Sequence, residues 1–205
     1  MTASLEKEYK QKLNIPATSK LLFIIGGGQG ARELNDAVIE VLPHLLSEFK
    51  DLRVIHVVGS KNEDDAMKMY HETLEADQLN RVMIHGFTDT VYLFSGAADL
   101  IITRAGATNL AEFALQGKAC IVVPASFLVG GHQVKNAEIL ANKSAAIFIN
   151  DAEIEKDSNK LAKEVSQLLQ DSQLRQQLSK NIQQFAYPDA GPHISEIVIK
   201  VAEGK

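Results

Sequence analysis

Six short, strongly apolar runs constrain this chain more than any other feature. They lie at 20–25, 53–58, 81–85, 99–103, 119–123 and 145–149, and each is too short for a buried helix. Between them, helical spacing of apolar residues appears near 31–48, 62–77, 89–96, 107–117 and 131–142. Apolar strands alternating with helices indicate a parallel sheet covered on both faces. Right-handed crossovers then give an α/β, doubly wound, Rossmann-like fold, with expected strand order 3-2-1-4-5-6. The 205 residues suffice for a sizeable core. No repeat or linker divides 20–150, so one domain is expected over 20–187. Residues 1–19 read as a linker or N-terminal helix, since Leu5, Tyr9 and Leu13 recur at helical spacing. From 157 to 186 the pattern is polar helix, broken by Tyr187-Pro-Asp-Ala-Gly-Pro192. A last helix from His193 to Glu203 carries Ile194, Ile197, Val198 and Val201 on one face. A sheet already covered on both sides has little room for that stripe. Residues 188–205 are therefore expected to leave an apolar patch or pack on something outside this domain.

Several function classes are disfavoured. The net charge of −5, with no Lys/Arg run, argues against a nucleic-acid binder. The single cysteine, Cys120, sits in an apolar strand and reads as core. No run approaches the roughly 20 apolar residues of a membrane span, and no signal peptide is visible, so a cytoplasmic setting is expected. No Asp-x-Asp pair or His/Cys cluster suggests a catalytic metal, so none is expected.

Glycine-bearing turns at the carboxyl ends of strands carry the chemistry. In 103–112, Thr-Arg-Ala-Gly-Ala-Thr-Asn-Leu-Ala-Glu follows a strand and opens a helix, aiming free N–H groups at an anion. Glu112, one turn on, is placed to accept hydrogen bonds from a sugar diol. The plainer alternatives are a salt-bridged or solvated Arg104, a solvent-facing Asn109, and a Glu112 favoured only by the helix dipole. Gly26-Gly-Gly-Gln-Gly-Ala31 puts four glycines in five residues, more than a tight turn needs. It also fits the permissive dinucleotide pattern, but strand two ends Val57-Val-Gly-Ser60 without the acid that would hold an adenosine ribose. An NAD-dependent oxidoreductase is thereby the weaker reading. Gly130-Gly-His-Gln133 brings His132 and Gln133 to another helix start, where amide and imidazole suit sugar hydroxyls. In His85-Gly-Phe-Thr-Asp89, backbone groups could pair with a flat base, and Asp89 reads as a helix N-cap. His44 and His56 have no ligand partners at metal spacing and are assigned no function.

Together these segments resemble a family. Gly26-Gly-Gly-Gln-Gly-Ala, His85-Gly-Phe, Thr103-Arg-Ala-Gly-Ala-Thr, Leu110-Ala-Glu and His132-Gln-Val-Lys-Asn-Ala are similar to the carboxyl-terminal half of bacterial GT-B glycosyltransferases. Those enzymes move N-acetylglucosamine from UDP-N-acetylglucosamine to undecaprenyl-pyrophosphoryl-muramyl-pentapeptide, lipid I, making lipid II for peptidoglycan. The resemblance covers about residues 10–203. It implies donor binding without a metal or other cofactor. It places Glu112 on the ribose, and Gly28 and Gln29 with the Ala107, Thr108 and Asn109 turn near diphosphate and sugar. It places Thr88 where a backbone pairs with uracil, and His132 and Gln133 facing the amino sugar. Gly28 stands where the family usually has a phosphate-contacting serine. The family's amino-terminal half holds the lipid-linked acceptor and the general base, and those motifs are absent here. The resemblance therefore implies that the acceptor half lies elsewhere in a longer protein or on a separate subunit, and that the full enzyme sits on the cytoplasmic face of the membrane. A nucleotide-sugar-binding subunit or sensor without its own catalysis is the remaining alternative.

Overall fold

A computed structural model of the chain describes residues 3–27, 31–127 and 130–204. Its strands are β1 (Lys20–Ile25), β2 (Leu52–Val57), β3 (Val82–His85), β4 (Leu100–Thr103), β5 (Cys120–Val122) and β6 (Ile147–Phe148). Its helices are α1 (Ala3–Lys12), α2 (Arg32–Glu48), α3 (Glu63–Thr73), α4 (Ala76–Leu79), α5 (Val91–Ala97) and α6 (Ala107–Gln116). They continue with α7 (His132–Asn142), α8 (Asp151–Lys156), α9 (Asn159–Gln170), α10 (Ser172–Ile182) and α11 (Ala190–Ala202).

The six strands form one sheet in the order β3-β2-β1-β4-β5-β6, and every neighbouring pair is parallel. This is the expected doubly wound fold. The central strand shows why. Leu22 and Ile24 of β1 enter one core, with α2, α3 and α9, while Leu21, Phe23 and Ile25 enter the other, with α5, α6 and α7. A strand buried on both faces must be apolar at every position, and Leu21 to Ile24 are wholly buried. Strand order reverses between β1 and β4, so α2 and α6 leave in opposite directions and open a crevice above the two strand ends.

The residues before β1 pack as a helix. Lys10, only 3% exposed, donates to Asp99 Oδ2 at 2.7 Å and to the Ser19 carbonyl at 2.9 Å. Asp99 Oδ2 also accepts from the Leu21 amide, so one carboxylate ties α1 to the amino end of β1. The Tyr9 ring lies over Gly96 so closely that a Cβ there would collide with it.

Some expected boundaries move. The single helix expected over 62–77 is two, because Glu75 and Gln78 form a capping box that restarts the chain at α4. The polar stretch 157–186 divides at Asp171, whose side chain accepts from the Leu174 amide and begins α10. The expected Asp89 cap is not formed. Helix α5 starts at Val91 after Thr90, and the Thr90 amide donates to Thr88 Oγ1, turning the chain one residue later. Helix α11 begins before His193, since Pro192 falls in its first turn, where a missing N–H costs nothing. None of the residues of α11 is buried, and Ile194, Ile197, Val198 and Val201 are exposed.

Candidate functional site

The loops after β1, β4 and β5 enclose a cavity of about 630 Å³ at the carboxyl edge of the sheet. Three helices begin from these loops: α2, α6 and α7. Their N-cap residues are Ala31, Gly106 and Gly131, none of which has a side chain able to accept a hydrogen bond. The first amides of these helices are therefore left to a ligand, and their dipoles favour an anion. Gly131 has φ of +60°, a left-handed conformation suited to glycine, which sets the direction in which α7 begins. Gly27, at φ +97°, serves the same end in the loop after β1.

Arg104, Ala107, Thr108, Asn109 and Gln133 all line this one cavity. Gln133 is fixed there because its Oε1 accepts from the Ala125 amide at 2.9 Å. Asn136, one turn further along α7, donates to the Ala105 carbonyl and holds α7 against the β4–α6 loop. Glu112 lies four residues beyond Thr108, on the same face of α6 but outside the cavity wall. It is half-buried, and burial raises its carboxyl pKa above the ordinary value. No described side chain or amide pairs with it, so its oxygens are open to a ligand's hydroxyls. His132 is exposed beside Gln133, at the first position of α7 and outside the cavity wall. Thr88 is in the β3–α5 loop, also off the cavity, and its hydroxyl is used internally, with Thr90. Gly28 and Gln29 lie outside the described residues.

Arg104 is neither solvated nor free. It is 4% exposed and reaches three groups. Nη1 donates to the Val123 carbonyl at 3.3 Å and to Asp151 Oδ2 at 3.4 Å, and Nη2 donates to Glu33 Oε2 at 3.3 Å. Burial lowers the guanidinium pKa, and Asp151 and Glu33 oppose that shift. Asp151 is also buried, which alone would raise its pKa, but the Ser126 N–H, Arg104 and the Ala152 N–H outweigh burial and hold it below the usual carboxylate range. Glu33 and Asp151 are the site residues that sequence reasoning missed. Glu33 reads as an ordinary first-turn acid of α2, and Asp151 as a loop acid after the last strand. The available signal was positional: both lie in the first turn of a helix that begins at the carboxyl edge of the sheet.

Among the described residues no group of three or more His, Cys, Asp and Glu could hold a metal ion. No described helix is long and apolar enough to cross a membrane. Cys120 is wholly buried, and burial pushes its thiol pKa up to about 12, which removes it as a nucleophile.

With this geometry in view, comparison with known proteins is specific. The model of the glycosyltransferase family 28 C-terminal domain matches residues 21–191. A UDP-N-acetylglucosamine--N-acetylmuramyl-(pentapeptide) pyrophosphoryl-undecaprenol N-acetylglucosamine transferase of Geotalea daltonii is 34% identical over 184 residues, which are 90% of this chain and 47% of that protein. The same-named protein of Bacteroides fragilis is 34% identical over 189 residues, again 90% of this chain and 47% of its own length. The crystal structure of Acinetobacter baumannii MurG superposes with a TM-score of 0.73 at 27% identity, over 98% of this chain and 53% of that one. The chain thus spans about half the length of the curated relatives it matches.

Proposed function

We propose that this chain, which belongs to the glycosyltransferase family 28 C-terminal domain family, is the donor-binding half of an inverting UDP-N-acetylglucosamine-dependent hexosyltransferase acting on a lipid-linked acceptor. The observation that carries the proposal is the cavity where three helix starts with incompetent caps meet at the strand-order reversal. A diphosphate there receives the free amides of α2 and α6 and the positive ends of their dipoles. Glu112 accepts from the ribose diol. Gln133, and beside it His132, meet hydroxyls of the sugar, and the backbone around Thr88 takes the uracil edge. Gly28 and Gln29 belong to the phosphate end of the same site.

In the complete enzyme an acceptor hydroxyl attacks the anomeric carbon while UDP departs. This half stabilises the charge that grows on the leaving diphosphate through fixed amides and Arg104. It also holds the donor in register, which removes part of the entropic barrier. Deprotonation of the acceptor and docking on the cytoplasmic face of the membrane fall to a separate acceptor domain, as does recognition of lipid I. The names of the Geotalea and Bacteroides relatives, and the half-length span, support this division.

The chain on its own is expected to bind UDP and UDP-N-acetylglucosamine in the presence of a metal chelator. Calorimetry that detects binding only after a divalent ion is added would overturn the metal-free assignment, and no binding of either ligand would overturn the donor site. Glu112→Ala is expected to weaken UDP binding by about 1.5–3 kcal/mol, the scale of hydrogen bonds to charged groups. The loss should be smaller for 2′-deoxy-UDP. Equal losses with the two ligands would remove Glu112 from the ribose.

A further inference from the structure

We infer that Glu33 is a placeholder for the donor's diphosphate, occupying the cavity-facing edge of Arg104 until the ligand displaces it; this rests on the donor-site reading above. Both residues line the cavity. The guanidinium is divided between two carboxylates of opposite character. On Nη1, Asp151 is 3% exposed and immobilised by the Ser126 and Ala152 amides, with the Val123 carbonyl alongside. On Nη2, Glu33 is 42% exposed, pairs with Arg104 alone among the described residues, at 3.3 Å, and sits on the first turn of α2.

The asymmetry fixes which bond can exchange. Releasing Asp151 would strand a buried charge, which is costly. Releasing Glu33 costs little, because half-exposed ion pairs contribute little and the freed carboxylate rehydrates. A diphosphate bound at Nη2 displaces Glu33 from that edge, since both anions cannot take the same guanidinium N–H groups and like charges at close range repel. The helix-start amides of α2 and α6 attract the diphosphate to the edge that Glu33 holds. Exchange of one anion for another at Nη2 leaves Arg104 compensated throughout, with Asp151 as the permanent positioning residue. In the empty site the same contact keeps the buried guanidinium from standing half-paired. Glu33 thus sets donor affinity downward in return for a stable unliganded cavity.

The test is calorimetric titration of the full chain with two probes, UDP and inorganic pyrophosphate. Glu33→Gln is expected to bind both about two- to fivefold tighter than the parent chain, the range set by loss of one partly exposed ion pair. Glu40→Gln is the control, because it removes the same charge from an exposed position of α2 without touching Arg104, and it should change either affinity by much less. Equal tightening by the two variants would mean a general field effect and would overturn the placeholder, as would equal or weaker binding by Glu33→Gln. A parent chain that binds UDP while Glu33→Gln gains nothing sinks the placeholder and leaves the donor site standing. A parent chain that binds no UDP sinks the donor site, and the placeholder is then decided on pyrophosphate alone by the same comparison.

Discussion

Replacing Asp151 with alanine is expected to destabilise the folded chain by about 3 kcal/mol, the lower part of the range for breaking a buried ion pair from one side. The loss arises because Arg104 stays buried with its charge while its immobile partner is gone. Glu33 and the Val123 carbonyl remain, which keeps the cost from reaching the top of that range. The Ser126 amide loses its acceptor as well, while the Ala152 amide keeps Asn150 Oδ1. Urea unfolding at neutral pH measures it, as a lower midpoint at unchanged slope. Asp151→Asn, which keeps the shape and one acceptor oxygen, should lose less. The double variant Asp151→Ala with Arg104→Met should recover part of the stability, since no charge is then left uncompensated. A loss below about 1 kcal/mol for Asp151→Ala would show that Glu33 and water suffice to hold Arg104, and that Asp151 does not position it.

That pair also marks the boundary of what the sequence discloses. Apolar runs report burial directly, so β1, β2 and β4 are legible, and with them the sheet order and the crevice. The turn Arg104–Asn109 and the helix start at His132–Gln133 are legible for a related reason: glycine and a short polar run at a strand's end leave few other uses for that backbone. Partnership between distant charges has no such signature. Asp151 meets Arg104 across 47 positions and Lys10 meets Asp99 across 89, and each residue alone looks like a surface charge. The Lys10 contact is why residues 1–19 hold a packed helix, although their composition reads equally as a tether. Local competition hides the rest. Asp89 is a good cap residue, but the Thr88 hydroxyl takes the Thr90 amide and begins the helix elsewhere. Asp171 is equally polar, and there the cap forms and splits a helix that periodicity alone would continue. Glu112 is legible as an acid one turn into α6, but its half-buried state, without a partner among the described residues, needs the packing of α6 to be seen.

His56 should make the fold sensitive to mild acid. Its ring is wholly buried on β2, between α2 and α3. Asn35 Nδ2 donates to the Val58 carbonyl at 2.8 Å, which turns Asn35 Oδ1 toward His56 Nε2 at 3.1 Å. Nε2 must therefore carry the proton, and Nδ1 accepts from the Tyr70 hydroxyl at 2.7 Å. The neutral ring satisfies both partners, and a second proton, on Nδ1, would turn the Tyr70 hydroxyl into an acceptor and take away the acceptor of its own proton. Burial accordingly pushes the His56 pKa down to about 3, from the 6.5 of a free side chain. A depressed histidine destabilises on acidification. The stabilising difference is complete above about 6.5, where neither state is protonated, and is lost as pH falls, because the unfolded chain binds a proton that the folded chain refuses. The slope is up to about 1.4 kcal/mol per pH unit, so between pH 7 and 4.5 the chain should lose about 2–3 kcal/mol through this residue. Stopping at 4.5 keeps most of Asp151's loss out of the measurement, since that loss sets in near the ordinary carboxylate value of 3.8, where the unfolded chain takes up its proton, and continues below it. His56→Gln should be less stable than the parent at pH 7, for want of the Tyr70 contact, but its stability should fall less steeply over that interval. Parallel pH curves for the two proteins in urea unfolding would mean that the buried imidazole accepts its proton in the folded state, and that the bonds to Tyr70 and Asn35 do not lock its tautomer.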